Sequence, residues 1–161
     1  MTFRPARPDE AAEACAVIRR SIIELCGADH DDDPAILDPW LANKTPDRVR
    51  TWIETNPSGV IVGTDEAGIT GVGAVLPDGR IVLNYAAPRA RFRGVSKGLI
   101  LALEARALCL GHTICTLTST ITAHGFYRTR GYTDAGAPIT SFGGKPAFPM
   151  QRRIDGEPTS R

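Results

Sequence analysis

Between Arg89 and Lys97 the chain gathers Arg89, Arg91, Arg93 and Lys97 around Gly94. The apolar run Ile81-Val82-Leu83 precedes this cluster, and a helical pattern running from Ser96 to about Gly111 follows it. A strand, a basic turn and a helix start together make an anion site. The N–H groups of the first helical turn have no partner inside the helix, the dipole adds partial positive charge, and a glycine lets a ligand approach the main chain. The plainer reading is an ordinary strand–helix turn with solvated arginines, because a short glycine motif alone carries little information. Farther on, Phe126-Tyr127-Arg128-Thr129-Arg130-Gly131-Tyr132 follows Ala123 so that Ala123, Phe126, Tyr127 and Arg130 share one helical face, and the Tyr127 ring suits a core.

Composition narrows the class of ligand. With 19 basic and 18 acidic residues in 161, the net charge is +1, too small a surplus for tracking a nucleic acid backbone. Positive charge is concentrated near residues 89–97, which suits a small phosphorylated ligand. Cys15, Cys26, Cys109 and Cys115 form no C-x-x-C pair and, with no signal peptide at Met1-Thr-Phe-Arg, read as reduced thiols. No apolar run approaches the ~20 residues of a membrane span. The expectation is a soluble, cytoplasmic protein, monomer or homodimer, with no nucleic acid or membrane partner.

The elements that must position these residues follow from pattern and punctuation. Thr2–Pro5 reads as a first strand, and Pro8-Asp9-Glu10 opens a helix to about Leu25 with the apolar stripe Ala11, Ala14, Cys15, Ile18, Ile22 and Leu25. Residues 26–33, Cys-Gly-Ala-Asp-His-Asp-Asp-Asp, read as a loop too polar to be buried. Asp33 and Thr45, each followed by proline, read as helix N-caps, with Pro39 expected to interrupt the first of those helices near Trp40. Trp40 and Trp52 read as packing residues. Val60–Thr64, Ile69–Leu76 and Arg80–Ala86 form a meander with hairpin turns at residues 65–68 and 77–79. After the helix from Ser96, which carries Ile100, Leu103, Ala107 and Leu110 on one face, come a strand Thr113–Thr118, a helix Thr120–Arg130 and strands Tyr132–Asp134 and Phe148–Ile154. One domain over residues 1–154 and a flexible tail over 155–161 complete the reading.

This order, β-α-α-β-β-β-α-β-α-β-β, resembles the GNAT superfamily of N-acetyltransferases. Arg91-Phe92-Arg93-Gly94-Val95-Ser96 is similar to the family's acetyl-CoA signature, Arg/Gln-x-x-Gly-x-Gly/Ala, with Ser96 where the family has Gly or Ala. Phe126-Tyr127-x-x-x-Gly131-Tyr132 is similar to its later aromatic motif, and the two motifs with the elements between them cover residues 80–132, about a third of the chain. The resemblance implies an α/β (α+β) fold, a single domain with a mixed sheet of about six or seven strands flanked by helices. It implies acetyl-CoA as donor, no metal, and a small-molecule or peptide amine as acceptor, attacked directly in a ternary complex.

The same resemblance implies roles for particular residues. The pyrophosphate lies against Arg91, Phe92, Arg93, Gly94, Val95, Ser96 and Lys97, with Phe92 covering pantetheine and Ser96 able to cap the helix. Pantetheine lies along Tyr85, Ala86 and Ala87, and one of Ser119 and Thr120 bonds it while another residue of Thr118–Thr120 caps the next helix. Tyr127 is the proton donor to the departing thiolate. The base is harder to read, since the fourth strand offers Asn84, able to position a water, and no acid. His30, with Cys26 and Asp29, is a candidate to face the acceptor, and His124 is a further one. A zinc site at Cys26 and His30 is rejected because the ligand pattern is wrong. Gly98 implies something packed close against the helix's first turn. The rival reading is an acyl-CoA sensor with the same cleft and no turnover.

Overall fold

A computed structural model describes residues 1–156; the last five positions of the predicted tail lie outside the described residues. The strands are β1 (Thr2–Pro5), β2 (Val60–Asp65), β3 (Gly68–Val75), β4 (Arg80–Ala86), β5 (Ile114–Ser119), β6 (Thr133–Asp134), β7 (Ile139–Thr140) and β8 (Pro146–Arg153). The helices are α1 (Ala11–Leu25), α2 (Gly27–His30), α3 (Pro34–Leu41), α4 (Pro46–Thr55), α5 (Val95–Cys109) and α6 (Ile121–Thr129). The sheet runs β1-β2-β3-β4-β5-β8-β6, with β7 paired to β8. Among the described residues only β4 and β5 pair in parallel. Among the described residues no helix is long and apolar enough to cross a membrane.

Alternation along the strands divides the apolar residues between two layers of helix. Val60, Val62, Val72 and Leu83 pack with α1, α3 and α4, whereas Ile61, Val75, Ile81 and Leu117 pack with α5 and Tyr127 of α6. Small residues on β3 let α5 press against the sheet: a Cβ at Gly71 would stand 2.5 Å from Val95. The close neighbour expected at Gly98 is the Phe3 ring, 2.0 Å from where a Cβ would lie. Leu110, expected on the buried face of α5, is 40% exposed, and Glu104 takes a buried place instead. It can do so because Tyr132 Oη donates to it at 2.7 Å and Arg152 pairs with it at 2.7 Å.

Two further local expectations need correction. Pro39 does not interrupt α3, which continues to Leu41. The cost is one missing N–H near the end of a short helix, and burial of Trp40 and Leu41 outweighs it. The polar segment 26–33 is not a solvated loop. It contains α2, with Asp29 and His30 buried. Polarity misleads here because every polar atom that goes inside finds a partner. His30 Nε2–H donates to Ile22 O at 2.9 Å, and Nδ1 accepts from Asp32 N–H at 3.0 Å.

Candidate active site

The site begins where β4 and β5 part. They pair at Arg80–Thr116 and Ile81–Leu117 and nowhere beyond. The cause lies on the other edge of β4, where the register against β3 shifts between Ala74 and Val75. Leu83 faces Ala74 and Ile81 faces Val75, so Val82 is an extra residue, a bulge that bends the strand away from β5. Ala87 N–H donates to Thr70 O at 2.7 Å, which fixes the phase of this ladder. Tyr85 and Ala87 therefore bond to β3, while Asn84 and Ala86 turn their backbone groups toward the gap. Asn84, Tyr85, Thr118, Ser119, Thr120 and Tyr127 line it.

On one side the gap opens into a cleft of about 350 Å³ beneath the start of α5. Gly94, at φ +77°, is the N-cap and supplies no side-chain cap. The first helical bond is Gly98 N–H to Gly94 O at 3.0 Å, so the N–H groups of Val95, Ser96 and Lys97 leave the helix end unclaimed by its own carbonyls. Phe92 also has a left-handed backbone, at φ +66°, and its ring is 89% exposed. Left-handed residues at Phe92 and Gly94, on a turn leading into a helix, shape a concave run of N–H groups suited to phosphate. The guanidinium of Arg91 lies 4.6 Å from the centre of the Phe92 ring. Asp65 holds this turn in place: it pairs with Arg89 and with Arg93, each at 3.0 Å, and those guanidiniums hold its carboxyl far below the usual range.

Tyr127 lines both the gap and the cleft. Burial pushes its hydroxyl up to about 12, while the Asn84 amide pulls it the other way. Asn84 Oδ1 is itself buried without a hydrogen-bond partner. On the opposite side the gap leads into a second cavity of about 230 Å³, lined by residues including Trp40, Lys44, Tyr85, Phe142 and Lys145. Tyr85 and Thr120 stand between the two spaces and line both.

Thr120 caps α6, accepting from Ala123 N–H at 3.1 Å, and Ser119 Oγ is bonded to Thr120 O at 2.8 Å. A second cap comes from far along the chain. Asp29 Oδ1 accepts from Ile121 N–H at 2.7 Å, and Oδ2 accepts from Thr122 N–H at 3.2 Å and from the Thr122 hydroxyl. Asp29 is thus bonded to the start of α6 while lining the second cavity. His30 has both ring nitrogens on backbone groups, at the end of α1 and at Asp32, and lines neither space. His124 is likewise engaged, 2.7 Å from Asp134 and stacked on Phe148. Cys26 does line the cleft, as a thiol that burial pushes up to about 12. Arg93 is turned to Asp65, Ser96 makes no cap bond, and Ala87 is buried with its N–H used. The N–H groups of Arg91 and Arg93 close local turns onto Pro88 O and Ala90 O. Among the described residues, no three His, Cys, Asp or Glu side chains are grouped to hold a metal.

A family profile described as "Acetyltransferase (GNAT) domain" matches residues 34–154. The chain belongs to the GNAT acetyltransferases. Curated proteins give no match. Among solved structures, the GNAT fold recurs in a GCN5-related N-acetyltransferase from Rhodopseudomonas palustris, with TM-score 0.81, 23% identity and 95% of each chain covered. The PaiA N-acetyltransferase from Thermoplasma acidophilum, in complex with coenzyme A, matches with TM-score 0.74 and 13% identity over 94% of this chain and 98% of that one. A ribosomal-protein-alanine N-acetyltransferase from Brucella melitensis matches with TM-score 0.72 and 17% identity over 96% and 100%. Within this GNAT domain, Asn84, Tyr85, Ala86, Arg91, Phe92, Gly94, Val95, Ser96, Lys97, Thr120 and Tyr127 come together on one cleft. Sequence reasoning overlooked Lys44 and Lys145, which lie on segments without a motif of their own.

Proposed function

We propose that this GNAT domain is an acetyl-CoA-dependent N-acetyltransferase that acts on a small-molecule or peptide amine by direct attack in a ternary complex. One observation carries the reading: an uncapped helix start and a buried tyrosine hydroxyl share a cleft that continues into the gap between two diverging strands. The N–H groups of Val95, Ser96 and Lys97, with the side chains of Arg91 and Lys97, hold the pyrophosphate. The main chain at Asn84 and Ala86 holds pantetheine as an added strand would, and exposed Phe92 covers it. Bound acetyl-CoA supplies an activated acetyl group: the amine nitrogen forms the new C–N bond while the C–S bond breaks onto sulfur.

Tyr127 stabilises the charge that collects on that sulfur. With its hydroxyl near 12 it stays protonated at neutral pH. A thiol of pKa about 8.5 is the stronger acid, so the phenol acts first as a hydrogen-bond donor. The proton that the nitrogen sheds as the amide forms passes through the Tyr127 hydroxyl to the thiolate, which leaves the phenol restored and the thiol neutral. Asn84 Oδ1 accepts a hydrogen bond from the amine or from a water beside it, which orients the nucleophile without removing its proton. Of the residues lining these spaces, Asp29 is the one carboxylate, and its oxygens are occupied. The amine therefore enters as the free base. The test is release of thiol from acetyl-CoA across an amine panel, with kcat/KM rising with pH toward the amine's own pKa, about 10.4 for an aliphatic amine. Tight acetyl-CoA binding with no turnover on any amine would make the domain a sensor instead.

A further inference from the structure

The second cavity has a charge character of its own. Lys44 lines it and also lines a neighbouring cavity of about 290 Å³ that includes Asn43, Trp52 and Leu83. Its ammonium donates to Asn43 Oδ1 at 2.7 Å, a neutral group, and among the described residues it makes no ion pair. Burial disfavours its charge and pulls its pKa down. Its backbone is fixed, since Lys44 O accepts from Arg19 Nη1 at 2.9 Å and from the Cys15 thiol at 3.2 Å. The cavity's other cation, Lys145, is paired with Asp31 at 2.6 Å. Its one carboxylate, Asp29, is consumed by the start of α6. What remains is a half-buried ammonium with no ion-pair partner, on a cavity that Tyr85 and Thr120 also line and whose one carboxylate is turned to the start of α6. Desolvated charge held this way is costly, and a ligand anion relieves it.

We propose that Lys44 is a specificity residue that binds an anionic group, carboxylate or phosphate, on the same molecule that presents the acceptor amine. This rests on the N-acetyltransferase reading for the word acceptor, but the anion site itself is a property of the cavity. An amine with a second positive charge meets an unpaired like charge at Lys44, so diamines are the disfavoured class.

Calorimetry on the full chain with saturating CoA tests the site without requiring turnover. The probes are 5-aminopentanoate, 4-aminobutyl phosphate, butylamine and 1,5-diaminopentane. Both anionic amines are expected to bind about tenfold tighter than butylamine, as for one charge-assisted hydrogen bond, with the diamine weakest. The tighter of the two identifies carboxylate or phosphate. Lys44→Met should erase the preference and Lys44→Arg should keep most of it. Equal binding of butylamine and both anionic amines to the wild-type protein overturns the proposal, whatever becomes of the variants. So does a preference that survives Lys44→Met at wild-type Tm. Acetyl transfer, measured in parallel, separates the two readings. Turnover of butylamine as efficient as that of the anionic amines removes Lys44 from specificity and leaves the enzyme. A Lys44-dependent anion preference without turnover leaves the site and removes the enzyme.

Discussion

Two helices begin at the same cleft, and they begin differently. The start of α6 is doubly satisfied, by its own Thr120 and by Asp29 of α2. The start of α5 has glycine for a cap and no side chain to answer its first N–H groups. Both ends carry the same dipole and the same unpaired donors, so the backbone alone does not distinguish them. What distinguishes them is whether the protein itself provides the acceptor. Where it does, the helix end is part of the fold. Where it does not, and the end faces an open cleft beside Arg91 and Lys97, the missing acceptor is to be supplied by a ligand.

The comparison can be broken by exchanging the two conditions. Gly94→Asp brings a carboxylate to the start of α5 and so makes it resemble α6. Its acetyl-CoA affinity should fall by at least about a hundredfold, through occupation of the N–H groups and charge repulsion. Circular dichroism establishes that the fold is kept, and calorimetry reads the loss. Next in size is Tyr127→Phe, which alters the reacting end of the cleft without touching either helix start. A drop in kcat of about 10²-fold is expected, the low end for a general acid, with acetyl-CoA affinity and Tm unchanged. A stability loss with kcat preserved would make Tyr127 a core residue only.

Uncapping α6 gives the smallest effects, and they should appear in stability instead of ligand affinity. Asp29→Ala removes the carboxylate from the part-buried N–H groups of Ile121 and Thr122 and should cost about 2 kcal/mol in denaturant melts. Thr120→Ala, which loses one cap bond, should cost about 1 kcal/mol. Asp29→Ala should bind acetyl-CoA as the wild type does. A large affinity loss in Asp29→Ala would show that the two helix starts are coupled and that the contrast drawn here is too sharp.

The difference between the two helix starts also explains what could be read from the sequence. Each signal for α5 lies within a few residues: the strand Arg80–Ala86, the basic turn, Gly94 and the apolar stripe. The caps at Asp33 and Thr45 are equally local, and both side chains accept the expected N–H groups, from Ala35 and Arg48. The cap from Asp29 spans 92 positions. Nothing near Asp29 announces its partner, so the polar run looks like solvated loop when it is buried structure. His30 misleads in the same way, because a histidine beside three aspartates resembles a chemical site until its ring nitrogens are found on backbone groups. The second cavity was illegible for another reason. Its walls come from α3, the segment before α4, β4, β5 and the turn at Phe142–Gly144, which no linear pattern unites. The bulge at Val82 leaves no sequence mark either, although it opens the whole site.

That bulge has a mechanical consequence. Apart from the two pairings at Arg80–Thr116 and Ile81–Leu117, the ladder between β1–β4 and β5–β8 is interrupted, so the sheet is two leaves sharing a short seam. A molecule lying in the gap bonds to one leaf and packs on the other, and it spans the interruption much as a splint spans a break. Occupancy and rigidity are then one quantity. The amide protons along the open edge of β4 become slow to exchange as the site fills, and the leaves resist heat together instead of separately.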